Sequence, residues 1–175
     1  MSSREVPTML ANERGLTLAE ILLAVALIGL GLVGLAVVIP VSSYGVQEGN
    51  QLTTATFLAE QMIERARAAQ WTSTPAVDCL GVSTGNAAPV PTGATCNGVA
   101  TTQFPDETSS AGVTGYSQYQ RIVRVTNCAT SSCAGVSNAG MRLVAVTVTY
   151  TPLTAGGGQS AVAKTVRLEW LVSQK

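Results

Sequence analysis

A chain of 175 residues with ten basic and ten acidic side chains, four cysteines and no histidine has room for one modest globular domain and an appendage. A formal net charge of zero, with no basic stripe, gives no nucleic-acid signal, because sequence-independent binding rests on phosphate neutralisation. Without histidine there is no imidazole for acid–base catalysis or zinc ligation. The carboxylates are scattered, with only Asp106 and Glu107 adjacent, so the expectation is a protein that is not an enzyme and carries no cofactor.

Met1 to Gly15 is polar, and its charges (Arg4, Glu5, Glu13 and Arg14) cancel, unlike the net-positive start of a secretory signal. From Leu16 to Gln70 the chain reads as one long helix with two characters. Its first part is apolar all round, and Ile21 to Val41 contains no charge. At 1.5 Å per residue that stretch spans roughly 30 Å, the thickness of a bilayer core. The second part is amphipathic, with Leu52, Ala55, Ala59, Met62, Ile63 and Ala66 on one face and Glu60, Glu64 and Arg67 on a more polar side. Between the parts lie Pro40, Gly45 and Gly49. Pro40 removes a backbone donor and is expected to break or kink the helix. Gly29, Gly31 and Gly34 lie within the span, where they permit close packing or simply face lipid.

Residues 71–115 are rich in Thr, Pro, Gly and Ala with little periodicity, and read as an irregular segment tied by Cys79 and Cys96. The last sixty residues read as strands. Tyr119, Arg121, Val123 and Val125 alternate with more polar neighbours. Arg142 to Thr151 presents Val144, Val146, Val148 and Tyr150 on one face. Ala161 to Ser173 presents Val162, Val166, Leu168, Trp170 and Val172, with Lys164 breaking the pattern. Asn127 to Gly140 and Pro152 to Gln159 supply the turns. The expected fold class is α+β: a long N-terminal helix, membrane-spanning in its first half, packed on a small antiparallel sheet that buries its valine face on the amphipathic half. The organisation is a leader over 1–15, a helix over 16–70 with a transmembrane half over 21–41, and an extracytoplasmic β-domain over 71–175. Arg121, Arg124 and Arg142 read as solubilising residues on strand surfaces.

All four cysteines follow the apolar block, which favours disulfides in an exported domain. Four cysteines allow three pairings, and the local one, Cys79 with Cys96 and Cys128 with Cys133, is favoured. The spacing suits a zinc site poorly, since zinc ligands usually come in short pairs; no metal is expected.

The most informative string is Arg14-Gly15-Leu16-Thr17-Leu18-Ala19-Glu20, followed directly by the apolar run. It resembles the processing site of type IV pilins and type II pseudopilins. The resemblance implies cleavage between Gly15 and Leu16 by a prepilin peptidase, N-methylation of Leu16, and an assembly role for Glu20 as the glutamate at the fifth mature position. A carboxylate beside an apolar span is costly unless paired, and the Leu16 amine of a neighbouring subunit is the natural partner. Thr17-x-x-Glu20 is also a capping box, a reading that needs no filament and leaves Gly15 unexplained. The sequence departs from the family pattern at Leu16, where Phe is usual, and at Ala19, where a larger aliphatic is common. Gly29 to Ala36 and Ala59 to Arg65 look like the corresponding stretches of minor subunits of the PilV/GspI type.

That resemblance implies a minor structural subunit of a type IV pilus or related filament. It is single-pass in the inner membrane before assembly, then periplasmic or at the cell surface. Its implied partners are other pilin subunits, the prepilin peptidase and the inner-membrane assembly platform. The alternatives are a pseudopilin of a type II secretion or DNA-uptake machine and a membrane-anchored binding protein that does not polymerise. A secreted protein cut near Val41-Ser42-Ser43 is a further one.

Overall fold

The alternation of β-branched residues in the C-terminal third sets up a sheet, and the amphipathic half of the helix provides its cover. The computed structural model describes residues 17–73, 76–93, 95–108, 112–130, 133–152 and 162–175. Helix α1 is Leu18–Ala68, followed by strands β1 (Trp71–Ser73), β2 (Ala76–Asp78), β3 (Tyr119–Asn127), β4 (Met141–Tyr150) and β5 (Lys164–Ser173), an α+β chain. It divides into two units, Met1–Ser43 and Tyr44–Lys175.

In the second unit β3, β4 and β5 form an antiparallel sheet with β4 at its centre. Val123 lies opposite Val146, and Val146 opposite Leu168. Period-two alternation puts Val123, Val125, Val144, Val146 and Val148 on the inner face, all fully buried. Against them pack Ala55, Leu58, Ala59, Met62, Ile63 and Ala66 of α1, one helical stripe at spacings of three and four. Two expectations for this face need correction. Leu52 is 50% exposed, and Leu58, absent from the expected stripe, is buried instead. The spacing 51, 55, 58, 62 centres the buried stripe so that Gln51, not Leu52, meets the end of the sheet, where its carbonyl accepts from the Tyr119 hydroxyl (3.3 Å).

At that end the Gln51 amide and the Tyr150 hydroxyl are buried with no hydrogen-bond partner among the described residues. Burial, with Tyr119 alongside, pushes the Tyr150 phenol above its usual 10.0. The three threonines here, poor helix formers, direct their hydroxyls to the carbonyls four residues back: Thr53 to Gly49, Thr54 to Asn50 and Thr56 to Leu52. At the far end of α1 the Lys175 ammonium donates to the Arg67 carbonyl, a cation at the negative end of the helix dipole.

The third strand is shorter than its pattern. It begins at Lys164; Val162 precedes it and is exposed, Ala161 lies outside the described residues, and Trp170 is 47% exposed although it sits on the inner face. β5 is an edge strand, and α1 covers β3 and β4 more fully than β5. Thr151 falls just beyond β4.

The segment between helix and sheet is held at discrete points. β1 and β2 form a short antiparallel ladder, with Trp71 opposite Asp78. A disulfide joins Cys79 to Cys96 within this segment, and a second joins Cys128 to Cys133 in the turn between β3 and β4; each closed loop restricts the unfolded chain. Gly81, at φ +73°, lies so close to the Val90 backbone that a Cβ would approach it to 2.8 Å, so only glycine fits there.

The arginines expected on strand surfaces are the main fasteners instead. Arg121 is buried, with Nε 2.6 Å from Glu107 Oε2 and Nη1 donating to the Leu58 carbonyl (2.9 Å). Arg142 is buried, with Nη1 2.6 Å from Asp78 Oδ1 and its guanidinium 4.0 Å above the Trp71 ring. Arg124 makes a forked contact with Asp106 (2.6 and 2.9 Å) and reaches the Asn86 carbonyl. The strand pattern places these side chains correctly, but their partners, Asp78, Asp106 and Glu107, come from a segment with no periodicity of its own.

Asp78 accepts from the backbone N–H groups of Leu80, Gly81 and Thr92 as well as from Arg142. Burial alone would raise its carboxyl pKa, but Arg142 and these amides outweigh it and hold the pKa below the ordinary 3.8. Its stabilising contribution is therefore complete above pH 4 and is lost as pH falls through 3.8 toward the lowered value. Asp78→Asn leaves Arg142 buried without its anion and should cost about 3–5 kcal/mol in denaturant unfolding at neutral pH. The variant should also lose less stability than the wild type between pH 5 and 3, and equal acid sensitivity of the two would contradict this role. Leu58→Ala should cost about 2–5 kcal/mol in the same assay, from lost transfer energy and an unfilled cavity.

Candidate functional site

The described part of the N-terminal unit is an apolar helix whose side chains are exposed among the described residues. Leu18–Ala36 has a mean hydropathy of 2.5 and is long and apolar enough to cross a membrane. The large apolar side chains described between Leu18 and Ile39 are 51–78% exposed. In water such a surface is unfavourable by about 25 cal/mol for each Å² left uncovered. Exposure on all sides distinguishes this helix from a core helix and suits it to lipid or to other helices. The helical run continues through residue 40, so Pro40 does not end α1; its side chain lies outside the described residues.

The helix start is built by Thr17. The Glu20 N–H donates to the Thr17 hydroxyl (3.3 Å) and to the Thr17 carbonyl (3.0 Å), and the Ile21 N–H reaches the same carbonyl (3.2 Å). Thr17 is thus the N-cap, satisfying amides that the first turn otherwise leaves unpaired. Glu20 occupies the third helical position, where a carboxylate is favoured by the helix dipole. It is exposed, and its carboxylate has no hydrogen-bond or ion-pair partner among the described residues. Gly15 and Leu16, the expected cleavage site, lie outside the described residues, as does the rest of the leader. Gly29, Gly31 and Gly34 have nothing within 4 Å of where a Cβ would stand, so their small size serves no contact among the described residues.

In the second unit the four cysteines are all used in disulfides, and no group of His, Cys, Asp or Glu suited to a metal occurs among the described residues. One groove, of about 460 Å³, runs between α1 and β5 and is lined by Glu60, Ile63, Glu64, Arg67, Leu168 and Trp170 among others. Arg67 pairs with Glu64 (2.6 Å) and stacks on Trp170 at 4.9 Å. Sequence reasoning placed Trp170 in the core and so missed this surface. The available signal was the clustering of Lys164, Arg167 and Glu169 in one strand, which marks an edge.

The uncovered segment gives a direct expectation. Leu27→Arg with Leu30→Arg adds about 2.5–3.5 kcal/mol per substitution to the insertion of a membrane helix. Wild-type protein should stay with the membrane pellet under alkaline extraction and the double variant should move to the supernatant. Equal retention of both would show that the segment is not held in the bilayer.

Comparison of the chain with protein-family models, curated proteins and solved structures returns no match.

Proposed function

We propose that the protein is a minor pilin-like structural subunit: a single-pass precursor cut after Gly15 by a prepilin peptidase, methylated at Leu16, and assembled into a filament through its N-terminal helix. The observation that carries this reading is the pairing of a lone Glu20 carboxylate with an apolar helix exposed on every side. In an anchor alone the carboxylate serves only the helix start, through the dipole and the capping box, and the Gly15-Leu16 motif before it has no use. A filament uses helix and carboxylate alike, because many such helices packed together bury one another's apolar surface.

Cleavage before Leu16 creates a cationic amine four residues from Glu20. Within one helix the Thr17 cap already occupies the first turn. Between staggered helices the Glu20 carboxylate of one subunit meets the Leu16 amine of the next. In the low-dielectric interior of a bundle each charge needs the other, so the pair fixes axial register. The second unit, with two disulfides, then forms the outward-facing layer in an oxidising compartment. The same parts serve a pseudopilin of a secretion or DNA-uptake machine.

Glu20→Ala leaves the helix and its cap in place. It should insert into the membrane and be processed like the wild type, yet its amount in sheared or purified filaments should fall at least about tenfold, the loss of one charged partner from a buried pair. Normal incorporation would remove the assembly role from Glu20 and leave a membrane-anchored binding protein as the better reading.

A further inference from the structure

The two edges of the three-stranded sheet end differently. Along β3 the carbonyls that point away from β4 are all engaged. Tyr119 O accepts from Val113 N (2.9 Å), Arg121 O from Glu107 N (2.9 Å), Val123 O from the Arg124 guanidinium (2.6 Å) and Val125 O from Ser83 N (2.8 Å). Along β5, residues 164–173, no backbone hydrogen bond reaches the outer edge among the described residues. An open edge of this length is a template for another strand. Beside it Trp170 is 47% exposed and Leu168 only partly buried.

We propose that β5 pairs antiparallel with β5 of a second copy of this chain, about a two-fold axis at Leu168. Charge and pleat both select this register. With Leu168 opposite Leu168, Arg167 faces Glu169 of the second copy and Glu169 faces its Arg167. On the inner face Val166 meets Trp170, again twice, an aromatic–β-branched pair of the kind that stabilises neighbouring strands. A slip of one residue sets an inward side chain against an outward one. A slip of two, in either direction, sets Arg167 against Arg167 or Glu169 against Glu169. Within one chain Arg167 already holds Glu169 (2.9 and 2.5 Å), and a guanidinium with five donors can bridge its own carboxylate and the one across the axis.

The pairing makes a continuous six-stranded sheet with both helices on one face. Near the start of β5 Glu48 pairs with Lys164, and near its end Arg67 stacks on Trp170, so the helix runs in the same direction as β5. In the antiparallel pair the two helices therefore run oppositely, and their Tyr44 ends emerge at opposite ends of the dimer. The pairing does not depend on the filament reading.

Sedimentation velocity on the full chain in detergent, over a range of concentrations, tests the pairing with charge-swap variants. The wild type should dimerise. Arg167→Glu and Glu169→Arg should each weaken self-association roughly tenfold or more, since each turns two cross-strand attractions into repulsions. An equimolar mixture of the two should dimerise like the wild type, because every Arg then faces a Glu again; this recovery also shows that neither variant is misfolded. A wild type that stays monomeric would mean that these charges guard the edge instead. Single variants that associate as tightly as the wild type would locate the contact elsewhere. Either result, or a mixture that fails to recover, overturns the proposal.

Discussion

The dominant constraint on this protein is an apolar helix that stands exposed among the described residues. From Leu18 to Ala36 no side chain is buried among the described residues, and covering such a surface with lipid or another apolar surface is favourable. Lipid is able to cover a single copy in this way, and packing against other helices is the cover we propose in an assembly. The polar features at the start of the helix take their meaning from that setting. Thr17 settles the first amides, which leaves the Glu20 carboxylate beside the apolar run, where a charge persists only with a partner or at a polar boundary.

The second unit meets a different problem with different means. Aromatic residues are only 5% of the chain, and the core of this unit is a layer of sheet valines under small and medium helix residues, flanked by Trp71, Phe104, Tyr119 and Tyr150. Most of the segment between helix and sheet has no regular ladder to hold it. Three arginine–carboxylate contacts attach it to β3 and β4, the Cys79–Cys96 disulfide closes a loop within it, and the Cys128–Cys133 disulfide pins the turn between β3 and β4. Two of these arginines are buried, so each contact matters less as a net gain than as a condition. With its partner absent, each would be an uncompensated charge in the interior. Polar fastening of this kind ties the native arrangement to one register, because Arg121 and Arg142 can be satisfied only where Glu107 and Asp78 are held.

Much of this was legible from residue order alone. Two periods, near 3.6 and equal to 2, locate α1 and the three long strands to within a few residues, and the inner valines of β3 and β4 follow from alternation. Other features were not legible, each for a physical reason. Leu52 and Leu58 both fit a broad helical stripe, and only the place where the sheet ends decides between them. Trp170 alternates with the core residues, yet periodicity carries no information about which strand is the edge. Arg121 and Arg142 look like solvent-facing charges because their partners lie in segments without pattern; ion pairs between residues 14 and 64 positions apart leave no local trace. For the N-terminal segment, the Thr17 cap was readable from the box spacing. The role of Glu20 rests on the motif around it, since an exposed carboxylate looks the same whether or not it later meets an amine.

We propose that this helix is cut free at Gly15 and packed against its own kind. The N-terminus and intact mass of the mature protein isolated from membranes test it most directly. The account predicts a chain that begins at Leu16 with a methylated amine and carries both disulfides. A chain that keeps its leader, or one that begins near Tyr44 with the apolar segment removed, would contradict it.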